Sequence, residues 1–250
     1  MARTLLVRGR SMTPRQMSLR HRIAVALVGG RRVWAFDQIN QHVSFAETTR
    51  RFAAATHIPT IGESKPSKVA LYTQVNAALG NQPIDYLEFG VWKGWSFGQW
   101  LKLNRHPDSR FYGFDSWEGL PEDWHKNREA GAFSTDGQPP AIEDARGAFL
   151  KGWFHDTLPM FLRTHPLNRP TVIHIDCDLY GGTLYALASL DPYLPHDVYV
   201  LFDEFYDVQH EFKGFTDYCK AFMREWEPVA YRDHFVQVAI RLLPRSSPRN

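Results

Sequence analysis

The chain has 250 residues, of which 44% are hydrophobic, and its formal net charge is +2. This length suits one α/β domain with extensions or two small domains, and so small a net charge indicates no particular charged partner. The two cysteines, Cys177 and Cys219, suggest neither a disulfide framework nor a zinc site. No apolar run approaches the roughly 20 residues that span a bilayer. We therefore expect a reduced, cytoplasmic protein that does not bind a membrane.

Basic residues are concentrated at the start of the chain. Residues 1–36 contain eight arginines and no acidic residue. Such an arm is most often solvated, so we expect residues 1–40 to form a basic, flexible N-terminal arm. Contact with nucleic acid or a membrane is the less favoured alternative. The apolar residues 23–28 are followed at once by two glycines and two arginines, which disfavours a cleaved signal peptide.

Two helices are predicted before the first core strand. Residues 44–56 have helical composition, with Ser44 as the cap and Glu47 three residues later, which is the spacing of a capping box. Residues 67–79 form the second predicted helix, ended by a glycine and an asparagine. We expect residues 41–82 to form a helical cap or lid, although the same helices could equally form the contact of a homo-oligomer.

The most informative stretch is DYLEFGVWKGWS, at residues 85–96. Apolar residues lead into Gly90 and Gly94, and Ser96 opens an amphipathic run, so this stretch predicts a strand, a tight turn and a helix. That is the opening unit of a doubly wound α/β domain. A glycine turn lets a ligand lie against bare backbone, and Glu88 places a carboxylate beside that ligand. The spacing is looser than the G-x-G-x-x-G that pyrophosphates use, which favours S-adenosylmethionine over NAD.

The remaining chain alternates between predicted strands and helices. Strands are predicted at Arg110–Asp115 and at residues 153–155, 171–178, 198–204, 229–231 and 235–243. Helices are predicted at residues 97–103, 145–150, 157–165, 183–194 and 212–225. Residues 116–144 are a long loop rich in Gly, Pro and charge, which is typical of a functional lid or of disorder. This alternation predicts a mostly parallel sheet with helices on both faces.

Four of these strands end in carboxylates, namely Glu88, Asp115, Asp176 with Asp178, and Asp203 with Glu204. Ligands of open parallel sheets bind beyond the carboxyl ends of the strands. One acid in such a place is ordinary, because Asp favours turns and helix caps. Four on one rim predict a strongly negative cleft, which requires a cation, a polyol or a positively charged ligand.

Asp115 follows Gly90 by 25 residues, where nucleotide-type cofactor sites place an acid that accepts hydrogen bonds from the ribose hydroxyls. Capping of the following turn is the alternative role. His174 falls on the same predicted strand as Asp176 and Asp178. A satisfied core histidine is favoured over a ligand at this position.

Asp178, Asp203 and Glu204 offer oxygen ligands from two strand ends that we expect to be neighbours. Such a set suits a hard divalent ion, Mg²⁺ or Ca²⁺. The alternative is that Asp203 and Glu204 only begin the next turn.

Five segments together carry a family resemblance: DYLEFGVWKGWS, FYGFDSWEGLPE, GWFHDTLP, IHIDCDLYGGTLYAL and VLFDEF. Over about residues 67–242 the chain resembles the macrocin-type O-methyltransferases, class I enzymes that act on sugars of macrolide antibiotics. The resemblance implies a Rossmann-like, doubly wound α/β fold over residues 83–243. Its sheet would have seven strands, mostly parallel with an antiparallel last strand, followed by a tail at residues 244–250.

The resemblance also implies S-adenosylmethionine as the methyl donor and a divalent ion, usually Mg²⁺. By position, it assigns the amino acid end of the cofactor to Glu88, Gly90, Gly94 and Ser96, and the ribose to Asp115 and Ser116. We assign Asp176 to cofactor binding as well. Asp178 corresponds to a metal ligand and catalytic base, and Asp203 and Glu204 correspond to the paired metal ligands. The pair is Asp-Glu in this chain, whereas Asp-Asp is common in the family.

The expected activity is methylation of a hydroxyl on a small molecule of sugar or natural-product type, and the resemblance does not fix that acceptor. A nicotinamide-dependent oxidoreductase is one alternative, against which the glycine spacing and the lack of a Tyr-x-x-x-Lys pair count. A cofactor-binding protein without turnover is the other, and the intact carboxylates argue against it.

Overall fold

The computed structural model describes residues 30–55, 60–62, 65–80, 82–125, 127–195 and 197–245. The helices within these ranges are α1 (Gly30–Ala54), α2 (Lys65–Ala78), α3 (Trp95–Leu103), α4 (Phe154–Thr164), α5 (Tyr180–Leu190) and α6 (Glu211–Phe222). The strands are β1 (Thr60–Ile61), β2 (Asp85–Phe89), β3 (Arg110–Asp115), β4 (Gly147–Lys151), β5 (Thr171–Ile175), β6 (Val198–Phe202), β7 (Trp226–Arg232) and β8 (Val238–Leu242). None of the helices described combines the length and the apolar character that crossing a bilayer requires.

All these strands form one sheet in the order β1-β7-β8-β6-β5-β2-β3-β4. Only β8 runs antiparallel to its neighbours, β6 and β7. This confirms the predicted mostly parallel sheet with an antiparallel last strand, and the two-residue β1 extends it beyond β7. The chain leaves β2 toward β3 on one side, while β5 and β6 lie on the other, so the order reverses between β2 and β5. This is the switch point at which such sheets bind ligands.

The core lies on both faces of the sheet because the central strands are buried along their whole length. Leu87 and Phe89 of β2 face a cluster that includes Leu187 of α5. Tyr86 faces the opposite cluster, which includes Trp100 of α3. Continuous burial of these apolar strands is what a parallel sheet covered by helices requires. The register pairs Phe89 with Phe114 and with Ile175, so the strand ends meet at one edge.

The predicted start of the first helix at Ser44 is wrong. Helix α1 begins at Gly30, so Ser44 lies within it and does not cap it. Phe45 and Phe52, two turns apart, pack against the domain, with the Phe45 ring 5.2 Å from Phe212 and the Phe52 ring 5.8 Å from Trp226. This packing stabilises one continuous helix. Its residues 30–40 belong to the segment that was predicted to be a flexible arm. Residues 1–29 of that arm and residues 246–250 of the predicted tail lie outside the described residues.

Two predictions between β3 and β5 are also wrong. Residues 145–150, predicted as a helix, contain most of strand β4, which pairs with β3. Residues 153–155, predicted as a strand, form the cap and first turn of α4. Gly147 sits so close to Ile142 that a Cβ would lie 2.3 Å from its Cδ1 atom. Residues 147–151 form a strand because they pair with β3, which is more than 30 residues away in the chain.

Candidate active site

A cavity of about 1360 Å³ opens at the carboxyl ends of β2, β3, β5 and β6. Its wall includes Gly90, Ser96, Asp115, Ser116, Asp176, Asp178, Asp203 and Glu204. The structure therefore brings most of the predicted site residues around one space. Typical pockets for one small molecule measure roughly 300–1,000 Å³, so the volume accommodates two ligands side by side.

The turn after β2 forms the floor of this cavity. Gly90 has a φ of 89°, and a Cβ there would lie 1.8 Å from the carbonyl oxygen of Asp176. Gly94 has a φ of 73°, and a Cβ there would lie 2.9 Å from Cγ of Pro140. Both positions favour glycine because of their backbone angles and their close neighbours. Helix α3 begins directly after Gly94, and its first two residues, Trp95 and Ser96, line the cavity.

Asp115, at the end of β3, stabilises that turn. Its Oδ2 accepts the backbone N–H groups of Val91 and Trp92, both at 2.8 Å, and its Oδ1 accepts that of Trp117 at 2.7 Å. Asp115 therefore caps this turn, which was its alternative role, and it also lines the cavity. Ser116 lies beside it and accepts the N–H of Glu118 through its hydroxyl at 3.1 Å.

Glu88 lies beneath the cavity and is fully buried. Its Oε1 accepts a 2.5 Å hydrogen bond from the Ser96 hydroxyl, and its Oε2 accepts a 2.6 Å bond from the Tyr86 hydroxyl. Burial raises the pKa of Glu88 despite these bonds and the nearby His174. The structure thus places Glu88 where it orients Ser96, which does line the cavity.

His174 continues this buried network toward the acids. Its Nδ1 lies 2.9 Å from the Tyr86 oxygen. Because the Tyr86 proton goes to Glu88, we assign the donated proton of this contact to Nδ1 of His174. The opposite nitrogen, Nε2, then faces Oδ1 of Asp203 at 3.6 Å. The core histidine thereby joins the glycine turn to the acid cluster.

The acids form two overlapping groups. Asp176, Asp178 and Glu204 have ligand atoms that all lie within 4.8 Å of one another, and so do His174, Asp176 and Asp203. The predicted trio of Asp178, Asp203 and Glu204 is thus divided between two groups that share Asp176. Strand β5 ends at Ile175 and β6 ends at Phe202, so these acids lie on loops rather than on one strand face. Asp178 itself has a φ of 62°.

Burial and mutual repulsion set the ionisation of these acids. Burial and then Asp203 raise the pKa of Asp178 to about 7, against the opposing effect of Arg128. Burial and the Asp203 charge also raise the pKa values of Asp176 and Glu204 well above their ordinary range. Because bringing a cation close relieves such repulsion, the cluster favours one.

Asp203 is the exception, because its carboxylate already has a cation beside it. Burial alone would raise its pKa, but the Lys68 ammonium outweighs that effect and lowers it to about 2. The Lys68 ammonium, on α2, lies 2.6 Å from Oδ1 and 2.7 Å from Oδ2 of Asp203. It lies 3.9 Å from Oδ2 of Asp176. Sequence reasoning missed Lys68, since α2 precedes the strands and no motif marks this lysine.

Glu211 was missed as well. It lies fully buried in the first turn of α6, and its Oε2 accepts the backbone N–H of Glu204 at 2.9 Å. Burial raises its pKa well above the ordinary range. An acid in the first turn of a helix after a strand that ends in acids was the available signal. Glu211 fixes the backbone that carries Glu204.

The long loop at residues 116–144 covers one side of the cavity. Trp124 donates its indole N–H to Oδ2 of Asp207 at 2.8 Å, and Nε2 of His125 lies 3.1 Å from the same oxygen. Two further aromatic residues stand at the cavity mouth, where the rings of Trp92 and Phe133 meet edge to face at 5.7 Å. The loop is thus tied to the segment that precedes α6 and adds apolar surface to the cavity.

Comparison with known proteins shows what this chain is similar to. Residues 87–205 match a protein family described as a methyltransferase domain. The chain is 33% identical over 157 residues to an 8-demethyl-8-(2,3-dimethoxy-alpha-L-rhamnosyl)-tetracenomycin-C 4'-O-methyltransferase of Streptomyces olivaceus, covering 53% of this chain and 59% of the relative. It is 30% identical over 152 residues to a demethyldecarbamoylnovobiocin O-methyltransferase of Streptomyces niveus, covering 52% and 56%. The chain thus spans little more than half the length of these relatives.

Solved structures agree on the architecture. The calicheamicin methyltransferase CalS11 superposes with a TM-score of 0.54 at 22% identity, over 69% of this chain and 76% of that one. The O-methyltransferase NovP superposes with a TM-score of 0.52 at 21% identity, over 72% and 80%. The fold is therefore the Rossmann-like fold of methyltransferases. Within it, residues 87–205, which carry every cavity residue except Lys68, are similar to a methyltransferase domain.

Proposed function

We propose that this protein is an S-adenosylmethionine-dependent O-methyltransferase that methylates a hydroxyl of a small molecule of sugar or natural-product type. The observation that carries the proposal is that the glycine turn of β2 and the acid cluster of β5 and β6 line one cavity. Two relatives that act as O-methyltransferases support the reaction class. The matched domain and these relatives are methyltransferases, so they give no support to a nicotinamide-dependent oxidoreductase. The narrower macrocin-type specificity stays a prediction.

The glycine turn fits the cofactor. S-adenosylmethionine, when bound, supplies an electrophilic methyl group on a positively charged sulfur, which a negative cavity wall favours. Gly90 lines the cavity and would meet its amino acid end together with Ser96, which Glu88 holds in place. Gly94 shapes the turn and is not part of the cavity wall. Asp115 and Ser116 would meet the ribose, although Asp115 also stabilises the turn.

The acid cluster fits a divalent ion. Oε2 of Glu204 is buried and has no hydrogen-bond partner among the residues that the structure describes. An orphaned carboxylate oxygen beside two further acids suits a hard cation such as Mg²⁺. Asp176, Asp178 and Glu204 would hold it, with Asp203 at the neighbouring position. Mg²⁺ held there would lower the pKa of an acceptor hydroxyl.

Asp178 is the proposed catalytic base. It lines the cavity, and in the metal-free protein burial and Asp203 raise its pKa to about 7. A carboxylate oxygen of Asp178 would accept the proton of the acceptor hydroxyl. The remaining acceleration comes from holding that hydroxyl in line with the donor methyl group.

The aromatic mouth of the cavity suits the rest of the acceptor. Trp92 and Trp95 are each 44% exposed, and Phe133 lies across from Trp92. Exposed indole rings of this kind pack against the apolar faces of sugars and of polycyclic compounds. A neutral, hydroxyl-bearing ring compound is thus the acceptor class that the cavity favours.

Calorimetric titration with S-adenosylmethionine and, separately, with NAD tests the cofactor assignment. We expect the first to bind and the second not to, and binding of NAD alone would overturn the proposal. Methyl transfer is then measured on a panel of sugars, phenols and catechols, with and without Mg²⁺. Asp178→Asn should lose at least about 10²-fold in turnover with little change in cofactor affinity, whereas Asp108→Asn, at an exposed position, should match the unmodified protein.

A further inference from the structure

The acid cluster contains two candidate cation positions, and the chain fills one of them itself. We propose that the Lys68 ammonium is a fixed cation in the group of His174, Asp176 and Asp203, and that it confines a divalent ion to the group of Asp176, Asp178 and Glu204. The ion itself rests on the proposed function. The pairing of Asp203 with Lys68 rather than with the ion differs from what the family resemblance implies, because the resemblance places Asp203 among the metal ligands.

The first step of the argument is the geometry of Lys68. Its Nζ atom meets both oxygens of Asp203, at 2.6 and 2.7 Å, and lies 3.9 Å from Asp176. The Lys68 side chain is 17% exposed and that of Asp203 is 9% exposed. The Trp95 ring lies 5.6 Å from Nζ on another side. An ion pair this enclosed is little screened by solvent, so the attraction that holds the ammonium in the group is strong.

The second step is whether the group of His174, Asp176 and Asp203 can accept a further cation. Nδ1 of His174 donates to Tyr86, and Nε2 faces Asp203 at 3.6 Å. With the ammonium in place, Asp203 has its counter-charge, because Nζ of Lys68 donates a hydrogen bond to Oδ2 and lies 2.6 Å from Oδ1. A divalent ion bound there would lie beside a positive charge, and the repulsion in this buried setting is strong. The first group therefore excludes the ion for as long as Lys68 remains.

The third step is the contrast with the second group. Asp178 and Glu204 line the open cavity, and neither forms an ion pair with a lysine or arginine among the described residues, whereas Asp203 has Lys68 beside it. Asp176, which belongs to both groups, lies 3.9 Å from the Lys68 ammonium and keeps an oxygen for an ion on the cavity side. The ion thus lies toward the acceptor, because Lys68 holds the inner position.

This arrangement also gives helix α2 a role in the site. Lys68 lies in the first part of α2, which packs against β7 on the sheet. Displacing α2 would withdraw the ammonium and leave Asp203 open to the ion. Lys68 is therefore a positioning residue, through which the segment before the domain controls where a cation binds.

Mn²⁺ binding to the full chain tests this, by the paramagnetic resonance signal of free Mn²⁺ and without any turnover. We expect one Mn²⁺ per unmodified chain. Lys68→Met should bind a second Mn²⁺ or bind the first at least about tenfold more tightly, and Lys68→Arg should behave as the unmodified chain. Lys93→Met removes a lysine from the cavity mouth and serves as the matched control, with no expected change.

Two acid variants complete the test. Glu204→Gln should lose Mn²⁺ binding, whereas Asp203→Asn should keep it within about threefold. The proposal is overturned when Lys68→Met leaves both stoichiometry and affinity unchanged, when Asp203→Asn loses as much affinity as Glu204→Gln, or when no variant binds Mn²⁺. Calorimetry with S-adenosylhomocysteine on the same samples reports separately on the proposed function, and thermal unfolding confirms that each variant is folded.

Discussion

The carbonyl oxygen of Asp176 lies only 1.8 Å from the position that a Cβ of Gly90 would take. The ends of β2 and β5 are thus pressed together at the switch point of the sheet, and Gly90 adopts a φ of 89° there. Because the atom in the way belongs to the backbone, it cannot rotate aside. The contact brings the glycine turn and the acid loop to one cavity.

Gly90→Ala should therefore damage both stability and cofactor binding. A strained backbone conformation costs about 1–3 kcal/mol, and the clash with the Asp176 carbonyl adds to it. We expect the free energy of unfolding to fall by at least about 2 kcal/mol, with S-adenosylmethionine affinity lost in the fraction that stays folded. Urea unfolding and calorimetry measure the two effects.

Gly98→Ala is the matched control for that substitution. Gly98 lies within α3, and a Cβ there would meet nothing within 4 Å. Alanine in a helix is more favourable than glycine by about 0.5–1 kcal/mol, so this variant should be slightly more stable. Equal effects of the two substitutions would contradict the role given to the Gly90 contact.

The strand, turn and helix around Gly90 could be predicted from sequence because their signals are local. Strand β3 has the predicted bounds, Arg110–Asp115, since an apolar run and a following acid mark it. Strand β4 was missed because GAFLK is short and half exposed, and only its pairing with β3 makes it a strand. Local pattern thus decides the central strands, and long-range pairing decides the edge.

The carboxylates of the site were found for the same local reason, since each follows a strand. The division of these carboxylates into two groups was not predicted. It depends on Lys68, which lies on α2, and on His174, whose place in the strand is typical of a core residue. The spacing of 108 residues between Lys68 and Asp176 carries no signal in a single sequence. The only sequence signal for a cationic partner is the cluster of acidic residues itself, which requires a cation nearby.

Tyr86→Phe should destabilise the protein although it removes only one oxygen atom. The Tyr86 hydroxyl donates to Glu88 at 2.6 Å and accepts from His174 at 2.9 Å, so its loss leaves two buried groups without a partner. Each such group costs about 1–3 kcal/mol, and we expect a loss of about 2–4 kcal/mol in urea unfolding. Tyr193→Phe, at a position 48% exposed, should change stability by less than about 0.5 kcal/mol. A neutral outcome for Tyr86→Phe would contradict the buried network.

Asp207→Asn should loosen the long loop without unfolding the domain. Oδ2 of Asp207 accepts the indole N–H of Trp124 at 2.8 Å and meets His125 at 3.1 Å. Asparagine has no negative charge for His125 and only one acceptor oxygen, whereas the backbone N–H of Gln209 already uses Oδ1 at 3.2 Å, so the tie is weakened. Amide hydrogen exchange in residues 117–137 should become faster, by about tenfold if the tie contributes about 1.4 kcal/mol. Glu129→Gln changes an exposed acid of the same loop and should leave exchange unaltered.

Asp178→Asn should make the metal-free protein more stable at high pH and leave it unchanged at low pH. Burial and Asp203 raise the pKa of Asp178 to about 7, whereas the unfolded chain releases the same proton near a pH of about 4. Between these values the folded state holds more protons, so this residue lowers the free energy of unfolding as the pH rises through them. Above about pH 7 the gain from the substitution should reach about 1–2 kcal/mol, allowing for solvent at the cavity wall.

Urea unfolding in the presence of a chelator, at pH 4 and at pH 8, measures that gain. Asp108→Asn, at an exposed position, should show no such dependence on pH. Millimolar Mg²⁺ at pH 8 should stabilise the unmodified protein more than Asp178→Asn, because the ion removes the repulsion that the substitution removes permanently. A gain that is the same at both pH values, or a loss of stability at pH 8, would show that Asp178 is not held at a raised pKa by its buried neighbours.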